Sequence, residues 1–377
     1  MKFLHLSDLH LGKRLNEYSL IPDQEHILKQ IIDIIYSEMP DGVLIAGDVY
    51  DKSVPSAEAI GLFDDFLTRL SIKGIPVYII SGNHDSAERM SFGHKLMSPS
   101  GIHIAGAYDG VTQYHTLTDE GGEVRIYLLP FIKPPIARRF HDGDIESYND
   151  AMREVIVAMN IDTSVRNILV THQLVTGSQR SDSEEISVGG TDDIALSVFD
   201  DFDYVALGHL HRPQNCTTDR VRYCGSPLKY SFSESSDVKS VTIIDLPEKG
   251  SLKIKTIPLT PIHDMVEIRG KYEEIMQKSF YEGTTYCTDY LHITLTDEDE
   301  VLDAIGRLRT VYRNLMKLDY DNQRTRSLGG AMEMPVEKRG PMELFSDFYT
   351  AQNGKAMSDE QADFVRGLIE GIWEGEI

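Results

Sequence analysis

The chain has 377 residues, of which 41% are hydrophobic, and carries a formal net charge of −23. This charge argues against attraction of nucleic acid over the whole surface, although a local cationic groove remains compatible with it. The sequence has no run of about 18 apolar residues and its start resembles a short strand, so we expect a cytoplasmic protein without a membrane span or a signal peptide.

The first 260 residues alternate predicted strands with predicted helices. Helices are expected at 23–38 and 56–70, where apolar residues recur at helical spacing. Such alternation is typical of βαβ units with largely parallel strands. The predicted strands are 3–7, 42–46, 76–80, 125–129, 167–170, 204–207, 221–223 and 240–244.

The pattern changes near Pro258 and Pro261, and the segment after these prolines predicts a small α+β domain. Its expected strands are 265–268, 291–295 and 315–318, and its expected helix is 300–312. A polar, glycine-containing stretch then predicts a linker, and two amphipathic helices are expected near 342–352 and 358–373. The predicted domain bounds are 1–260, 261–320, 321–341 and 342–377.

The three cysteines do not predict a site. Cys216, Cys224 and Cys287 are an odd number at unrelated spacings, which fits neither a zinc motif nor a disulfide framework. We expect them to be ordinary reduced thiols.

Five polar motifs lie at the downstream ends of predicted strands. In parallel α/β sheets ligands bind outside the carboxyl ends of the strands, so these segments are expected to converge at one edge. Each motif alone has an ordinary structural explanation, such as a turn, but the five together favour a functional site. The motifs are Asp8-Leu9-His10, Gly47-Asp48, Gly82-Asn83-His84-Asp85, Thr171-His172 and Gly208-His209-Leu210-His211.

The side chains of these motifs predict a metal centre. Imidazole nitrogens with carboxylate and amide oxygens suit Mn²⁺, Fe²⁺ or Zn²⁺ better than Ca²⁺. Seven candidate ligands are too many for one ion but adequate for two, if one carboxylate bridges them. Two ions about 3.5–4 Å apart can activate water and stabilise both oxygens in a phosphoester displacement.

These motifs, together with Asp51, resemble those of the calcineurin-like metallophosphoesterase superfamily over about residues 1–260. A narrower resemblance, to the bacterial SbcD nuclease family, is carried by residues 8–12, residues 223–232 and the tail around Phe345, Phe348 and Tyr349. The SbcD family is the bacterial counterpart of the Mre-type nucleases that repair double-strand breaks. The resemblance implies a β-sandwich flanked by helices, with a small α+β capping domain and C-terminal helices.

The resemblance also implies roles for single residues. Asp48 would bridge two divalent ions, most simply Mn²⁺. His84 would act on the phosphate or the leaving oxygen, and Asp85 would orient His84, unless it only caps a helix. The position of Asp51 holds a second phosphate-contacting histidine in some relatives, so its role is left open. One ion would be held by Asp8, His10, Asp48 and His211, and the other by Asp48, Asn83, His172 and His209.

By the same resemblance, the activity would be exonuclease action on double-stranded DNA ends with endonuclease cutting near hairpins or blocked ends. An SbcC-type ATPase with a long coiled coil would be the partner, with a homodimer of this chain inside a heterotetramer. The final helices would dock on the coiled-coil base, or else pack on this chain's own body.

Basic residues are candidates for contacts with DNA phosphates. Lys13 and Arg14 follow the first motif and would lie near a scissile strand. In the capping domain the candidates could equally form a solvated charged face. They are Arg269, Lys271, Arg307, Arg309, Arg313 and Lys317.

Three other functions compete with this one. Protein phosphatases of the superfamily carry Gly-Asp-x-Val-Asp-Arg-Gly and Gly-Asn-His-Glu, whereas this chain has Lys52-Ser53 after Asp51 and Asp85 in place of the glutamate. A cyclic-nucleotide phosphodiesterase would explain the metals but not the small domain or the final helices. A scaffold that only tethers DNA ends would not need the complete ligand set.

Overall fold

The computed structural model describes residues 1–184, 193–323, 325, 341–353 and 356–374. In chain order its strands are β1 (Lys2–Leu6), β2 (Arg14–Leu15), β3 (Tyr18–Ser19), β4 (Gly42–Ala46), β5 (Val77–Ile80), β6 (Ile102–Ala105), β7 (Gln113–Asp119), β8 (Gly122–Leu129), β9 (Arg166–His172), β10 (Tyr204–Gly208), β11 (Gln214–Cys216), β12 (Thr218–Tyr223), β13 (Ser240–Asp245), β14 (Lys253–Pro258), β15 (Met265–Gly270), β16 (Tyr290–Leu295) and β17 (Leu315–Tyr320).

The helices are mostly short outside α1, α2, α6 and the C-terminal pair. They are α1 (Ile21–Glu38), α2 (Ala57–Ile72), α3 (Ala87–Met90), α4 (His94–Met97), α5 (Pro134–Arg138), α6 (Tyr148–Ala158), α7 (Tyr272–Ile275), α8 (Lys278–Tyr281), α9 (Ala304–Arg309), α10 (Pro341–Asn353) and α11 (Asp359–Glu374). None of the helices in the described ranges is long and apolar enough to span a membrane.

Two six-stranded sheets form the centre of the fold. One has the order β14-β13-β1-β4-β5-β6 and the other β11-β12-β10-β9-β8-β7. Strands β1, β4, β5 and β6 are parallel, and so are β8, β9, β10 and β12, while β7, β11, β13 and β14 pair antiparallel. A buried apolar layer that includes Leu44, Ile80, Val170 and Ala206 lies between the sheets. The predicted α/β sandwich is thereby confirmed.

Helices cover the outer faces of both sheets. Ile31 of α1 and Phe66 of α2 belong to the same buried cluster as Ile45 of β4, and Val155 of α6 packs with Leu169 of β9. The central strands are therefore covered on both faces, which is why they read as continuous apolar runs rather than as alternating patterns. Caps fix the helix starts: the Ser56 side chain accepts a hydrogen bond from the amide of Ala59 at the start of α2.

The segment 262–320, called here the small unit, has its own core. Its three strands form a parallel sheet in the order β15-β16-β17. Leu291 and Ile293 of that sheet pack with Leu308 of α9 and with Tyr312. The unit lies against the sandwich, since the Tyr290 hydroxyl donates to Asp23 of α1 at 2.8 Å.

The structure differs from the predicted elements at several places. The helix expected at 300–312 is only Ala304–Arg309, because Asp303, with φ 50°, lies in the left-handed region just before it. Strands β6, β7 and β14 and helix α6 were not predicted, since they are short or lie in polar stretches. Most of the linker predicted at 321–341 lies outside the described residues.

Candidate metal centre

Loops at the carboxyl ends of five strands form one cleft. Asp8, Asp48 and Asn83 follow β1, β4 and β5 of the first sheet, while His172 ends β9 and His209 follows β10 of the second. The first two loops are tied together, since the amide of Asp8 donates to Gly47 O at 3.1 Å and that of His10 to Asp48 O at 3.0 Å. The parallel topology predicted from the sequence thus brings the motifs to one edge.

The backbone at these loops is strained. Asp8, His10, Asp48 and His209 have φ values of 53°, 43°, 49° and 103°, a region that non-glycine residues rarely occupy. Strain of this kind costs about 1–3 kcal/mol per residue and persists where the surrounding structure imposes it, most often at functional sites.

Asp8, His10 and His211 form the first group of converging ligand atoms. Their donor atoms all lie within 4.8 Å of one another and all three residues are buried. The Nε2 atoms of His10 and His211 face each other at 3.0 Å. Asp8 is held in place by the amide of His209, which donates to its Oδ1 at 3.0 Å.

Asp48 lies between this group and a second one. Its Oδ2 is 3.2 Å from His172 Nε2 and 3.7 Å from His10 Nε2. Asn83 Oδ1 in turn lies 3.0 Å from His172 Nε2 and 3.0 Å from His209 Nδ1. The structure thus brings all seven predicted ligands into one cleft, with Asp48 at its centre.

The electrostatics of the cleft fit a bound cation. Burial raises the pKa of Asp8 to about 6, and burial together with the charge of His172 lowers the pKa of His209 to about 3. Burial opposes protonation of His172, but attraction by Asp48 outweighs it and raises the pKa of His172 to about 9. Metal ligands bind in their deprotonated forms, so a divalent cation bound here would replace the protons that such side chains hold in its absence.

The outer nitrogens of two histidines are fixed by hydrogen bonds. His172 Nδ1 lies 2.8 Å from Ala46 O, which can only accept, so Nδ1 keeps its proton and Nε2 is the nitrogen that would bind a metal after losing its own proton. His211 Nδ1 lies 2.6 Å from Ser183 Oγ. Such outer partners are characteristic of metal-bound histidines.

His84 and Asp85 make different contacts, although they are neighbours in the sequence. His84 is half-buried, with its ring centroid 4.9 Å from that of His10, and its amide donates to Asp48 Oδ1 at 2.9 Å. The expectation that Asp85 orients the His84 ring needs correction, because the Asp85 carboxylate accepts from the amides of Val49, Tyr50 and Gly82 at 2.9–3.1 Å. Asp85 therefore fixes the Asp48 loop. The helix cap next to it is Ser86, not Asp85.

Sequence reasoning missed several supporting residues. Gln24 is buried in α1, where its Nε2 donates to His10 O at 2.7 Å and its Oε1 accepts from the amide of Gly12 at 2.9 Å. The sequence does carry a signal for Gln24, since it is a polar residue three positions before Ile27, on the apolar side of the helix. Glu184, whose Oε1 accepts from the amide of His211 at 2.7 Å, had no such signal because it lies in an irregular loop.

Two of the basic residues proposed to contact DNA pair with carboxylates of this chain. Lys13 Nζ pairs with Asp51 Oδ1 at 2.7 Å and lies 5.4 Å from the centre of the Tyr230 ring. Asp51 Oδ1 is in turn 3.7 Å from His10 Nδ1. Lys317 of the small unit pairs with Asp319 at 2.7 Å. Contacts of these side chains with DNA stay predictions.

Gly82 leads to a first testable prediction. A Cβ at this position would overlap Asp48 Oδ1 and lie 2.5 Å from the Asp48 amide nitrogen. We expect Gly82→Ala to displace Asp48, lower the number of Mn²⁺ ions bound per chain and reduce phosphoester cleavage, all measured on the purified chain. Gly61→Ala is the control, since an added Cβ there meets nothing within 4 Å. Full metal binding by Gly82→Ala would contradict the central place of Asp48.

Comparison with known proteins gives two family matches. The family described as calcineurin-like phosphoesterase matches residues 1–213, and the one described as type 5 capsule protein repressor C-terminal domain matches residues 261–353. Among curated proteins, the chain is similar to the D subunit of the nuclease SbcCD from Staphylococcus epidermidis. The two are 33% identical over an alignment of 386 positions that covers 100% of both chains.

The solved structures that match this chain have low sequence identity to it. One is a dimetal phosphatase from Danio rerio, with 12% identity over 70% of this chain and 98% of that one and a TM-score of 0.42. Another is the protein TT1561 of Thermus thermophilus, with 12% identity over 68% of this chain and 98% of that one and a TM-score of 0.39. The comparison therefore rests on the full-length relative and the two family matches, and not on these solved structures.

Proposed function

This chain belongs to the calcineurin-like phosphoesterase family, and we propose that it is a two-metal DNA nuclease of the SbcD type. It is a hydrolase that acts on phosphodiester bonds. The observation that carries the proposal is the convergence of seven ligand side chains on one cleft around Asp48, with His84 beside them. We further propose that residues 1–260 are the nuclease domain and that the small unit is a capping domain.

The residues of the cleft fit two divalent cations that share Asp48. Asp8, His10 and His211 would complete one site, and Asn83, His172 and His209 the other. Cations bound there would supply an activated water and offset charge on the phosphate. Mn²⁺ is the proposed ion because the mixed nitrogen and oxygen ligands suit it.

His84 is proposed as the residue that acts on the substrate. Its backbone amide is anchored to Asp48, while its half-buried ring lies near the ligand His10. An imidazole in this position can donate a proton to the leaving 3′ oxygen or stabilise charge that develops on the phosphate. Asp85 supports this geometry only through the loop that carries Asp48.

Double-stranded DNA ends and hairpins are the proposed substrates. The support is the full-length similarity to a protein named as a nuclease subunit. Since the net charge of −23 disfavours broad DNA binding, contacts must be local. Lys13 and Arg14 beside the first motif and the basic residues of the small unit are the candidates. A DNA substrate is consistent with the cytoplasmic location that is expected from the sequence.

The experiment uses the purified full chain with Mn²⁺, alone and with an SbcC-type ATPase. We expect degradation of a linear duplex and cutting of a DNA hairpin, measured by gel electrophoresis of end-labelled DNA. A cyclic nucleotide and a phosphoprotein serve as parallel substrates for the two rival enzymes. Cleavage of either of these with intact DNA would overturn the proposal, and so would DNA binding without cleavage.

The C-terminal helices are the proposed docking site for the ATPase. Phe348 of α10 and Phe364 of α11 are 61% and 68% exposed, which is unusual for such large apolar side chains. Although α11 also contacts α5 of its own chain, these two rings remain open to solvent. An amphipathic helix with exposed aromatic anchors is suited to a helical or coiled-coil partner.

Replacement of both rings by serine should therefore abolish capture of the co-expressed ATPase in a pull-down. The Mn²⁺ content of the chain should not change, because the helices are separate from the cleft. Val238→Ser is the control, since Val238 is 71% exposed but lies outside these helices. Capture of the ATPase by the double variant at the normal level would contradict this docking site.

A homodimer is proposed through a different surface. Phe92, between α3 and α4, and Leu96 of α4 are each 85% exposed, and Val54 in the loop before α2 is 65% exposed. Phe92 and Val54 line one apolar cavity with Ile60 of α2. A patch of this kind fits the same patch on a second copy.

A further inference from the structure

Glu234 is a fully buried carboxylate behind the metal ligand His211. Its Oε1 accepts a hydrogen bond from Ser183 Oγ at 2.5 Å, and that hydroxyl lies 2.6 Å from His211 Nδ1. Its Oε2 pairs with buried Lys239 at 2.5 Å. Burial opposes ionisation of Glu234, but His211 and Lys239 outweigh it and hold the pKa of Glu234 well below its usual value.

This arrangement fixes the tautomer of His211. The Ser183 hydroxyl has one proton, and it goes to the ionised Glu234 carboxylate, so the hydroxyl can only accept from His211 Nδ1. The proton of His211 is therefore on Nδ1, and Nε2 presents its lone pair to the cleft. Lys239 Nζ also holds the backbone of the same ligand, since it donates to His211 O at 2.7 Å.

The opposite side of the same segment contacts the small unit. Glu234 belongs to a single turn, Phe232–Glu234, that is followed by Ser235. Ser235 Oγ donates to Glu267 Oε2 at 3.3 Å, and the Phe232 ring centre is 5.3 Å from that of His292. His292 and Glu267 are neighbours on β16 and β15, joined by a contact of 3.0 Å.

We infer that the segment 231–237, the linking turn, couples the position of the small unit to the orientation of the metal ligand His211. Glu234 and Phe232 are positioning residues on its two sides: Glu234 acts on His211 through Ser183, and Phe232 receives the contact from the small unit. A movement of the small unit on DNA would shift the turn and change the affinity of one metal site. This inference rests on the proposed pair of metal ions.

Simple packing does not account for the charges in this segment. A buried ion pair seldom stabilises a fold more than apolar residues of the same size would. Glu234 and Lys239 are instead aimed at two different atoms of one residue, the side chain and the carbonyl of His211. Hydrogen bonds at such outer positions change metal affinity by about 10- to 100-fold.

The test measures Mn²⁺ binding to the metal-free full chain by isothermal titration calorimetry. Ser183→Ala removes the hydroxyl between His211 and Glu234 while leaving the buried ion pair in place. We expect it to weaken one of the two sites by about 10-fold and to leave the other unchanged. Phe232→Ala, on the side of the small unit, should weaken the same site by about 3-fold or more.

The double variant tests the coupling itself. If the effect of Phe232 passes through Ser183, then Phe232→Ala should have no further effect in a Ser183→Ala chain. Glu282→Gln is the matched control for Glu267→Gln, because it makes the same change in the small unit but Glu282 pairs with Lys278 instead of the turn. Glu267→Gln should weaken the site, whereas Glu282→Gln should not.

Two outcomes overturn the inference while the proposed function stands. One is two unchanged Mn²⁺ sites in the Phe232→Ala and Glu267→Gln chains, and the other is additive effects in the double variant. If the unmodified chain itself does not bind two Mn²⁺ ions, the proposed metal centre fails instead. Circular dichroism of each variant shows that a change in affinity does not come from unfolding.

Discussion

Replacement of His84 by alanine should leave two metal ions bound and reduce phosphodiester cleavage by about 100- to 10,000-fold, the usual contribution of a general acid or base. His84 shares the cleft with the ligands, but the anchor that holds Asp48 is its backbone amide, which alanine retains. Loss of the ring therefore removes a group that can reach the substrate without disturbing the Asp48 carboxylate.

The measurement pairs Mn²⁺ stoichiometry with single-turnover cleavage of a linear duplex. His94→Ala is a suitable control, because His94 lies one short helix further along the chain and its ring bonds to a neighbour in sequence, Ser91 O, at 2.6 Å. Loss of one ion with normal cutting would reverse the role, since His84 would then be a ligand. The structure makes this a real test, as donor atoms of His10, Asp48 and His84 lie within 4.8 Å of one another.

The main features of the site could be predicted from the sequence because strand burial and loop chemistry coincide there. The run at 42–46 is apolar throughout, which predicts a strand covered on both faces, and Asp48 follows it directly. The same pattern precedes Asp8, Asn83, His172 and His209. Parallel topology then places the ends of these strands at one edge.

The sequence does not predict which residues hold the predicted metal ligands in place. Glu234 acts on His211 through Ser183, and Lys239 donates to His211 O, from positions 23 and 28 residues further along the chain, as counted in the sequence. Neither follows a strand, and neither belongs to a periodic pattern. The partners of Asp85 are also not visible in the sequence: the resemblance implies that Asp85 orients His84, whereas its carboxylate accepts from the amides of Val49 and Tyr50.

The short helices of the small unit show a different limit. The pattern at 300–312 has helical character, yet only Ala304–Arg309 is helical. The start of this helix is set by the conformation of Asp303, which a pattern of apolar residues does not report. Element boundaries therefore depend on single backbone positions, while the position of a site depends on topology.

Replacement of Asp48 by asparagine should reduce bound metal from two ions per chain to one or none. The amide can still accept the His84 backbone hydrogen bond, so the loop keeps its shape, but it lacks the charge that both cations need. Cleavage should fall by at least about 1,000-fold, since the several kcal/mol of charge stabilisation that an ion supplies would be lost. Metal content after gel filtration and cleavage of a linear duplex measure the two effects.

The Asp48→Asn variant also separates a bridging carboxylate from a merely buried one. Asp203 is also largely buried, with 6% of its side chain exposed against 2% for Asp48, but it precedes β10, at the other end of this strand from the cleft, where it pairs with Lys249 and accepts from the amide of Asn167. Asp203→Asn should therefore keep both ions, although it removes the same charge from a comparable environment. Two ions in the Asp48→Asn chain would mean that the sites do not share this residue. Loss of ions in both variants would point to general destabilisation of the fold.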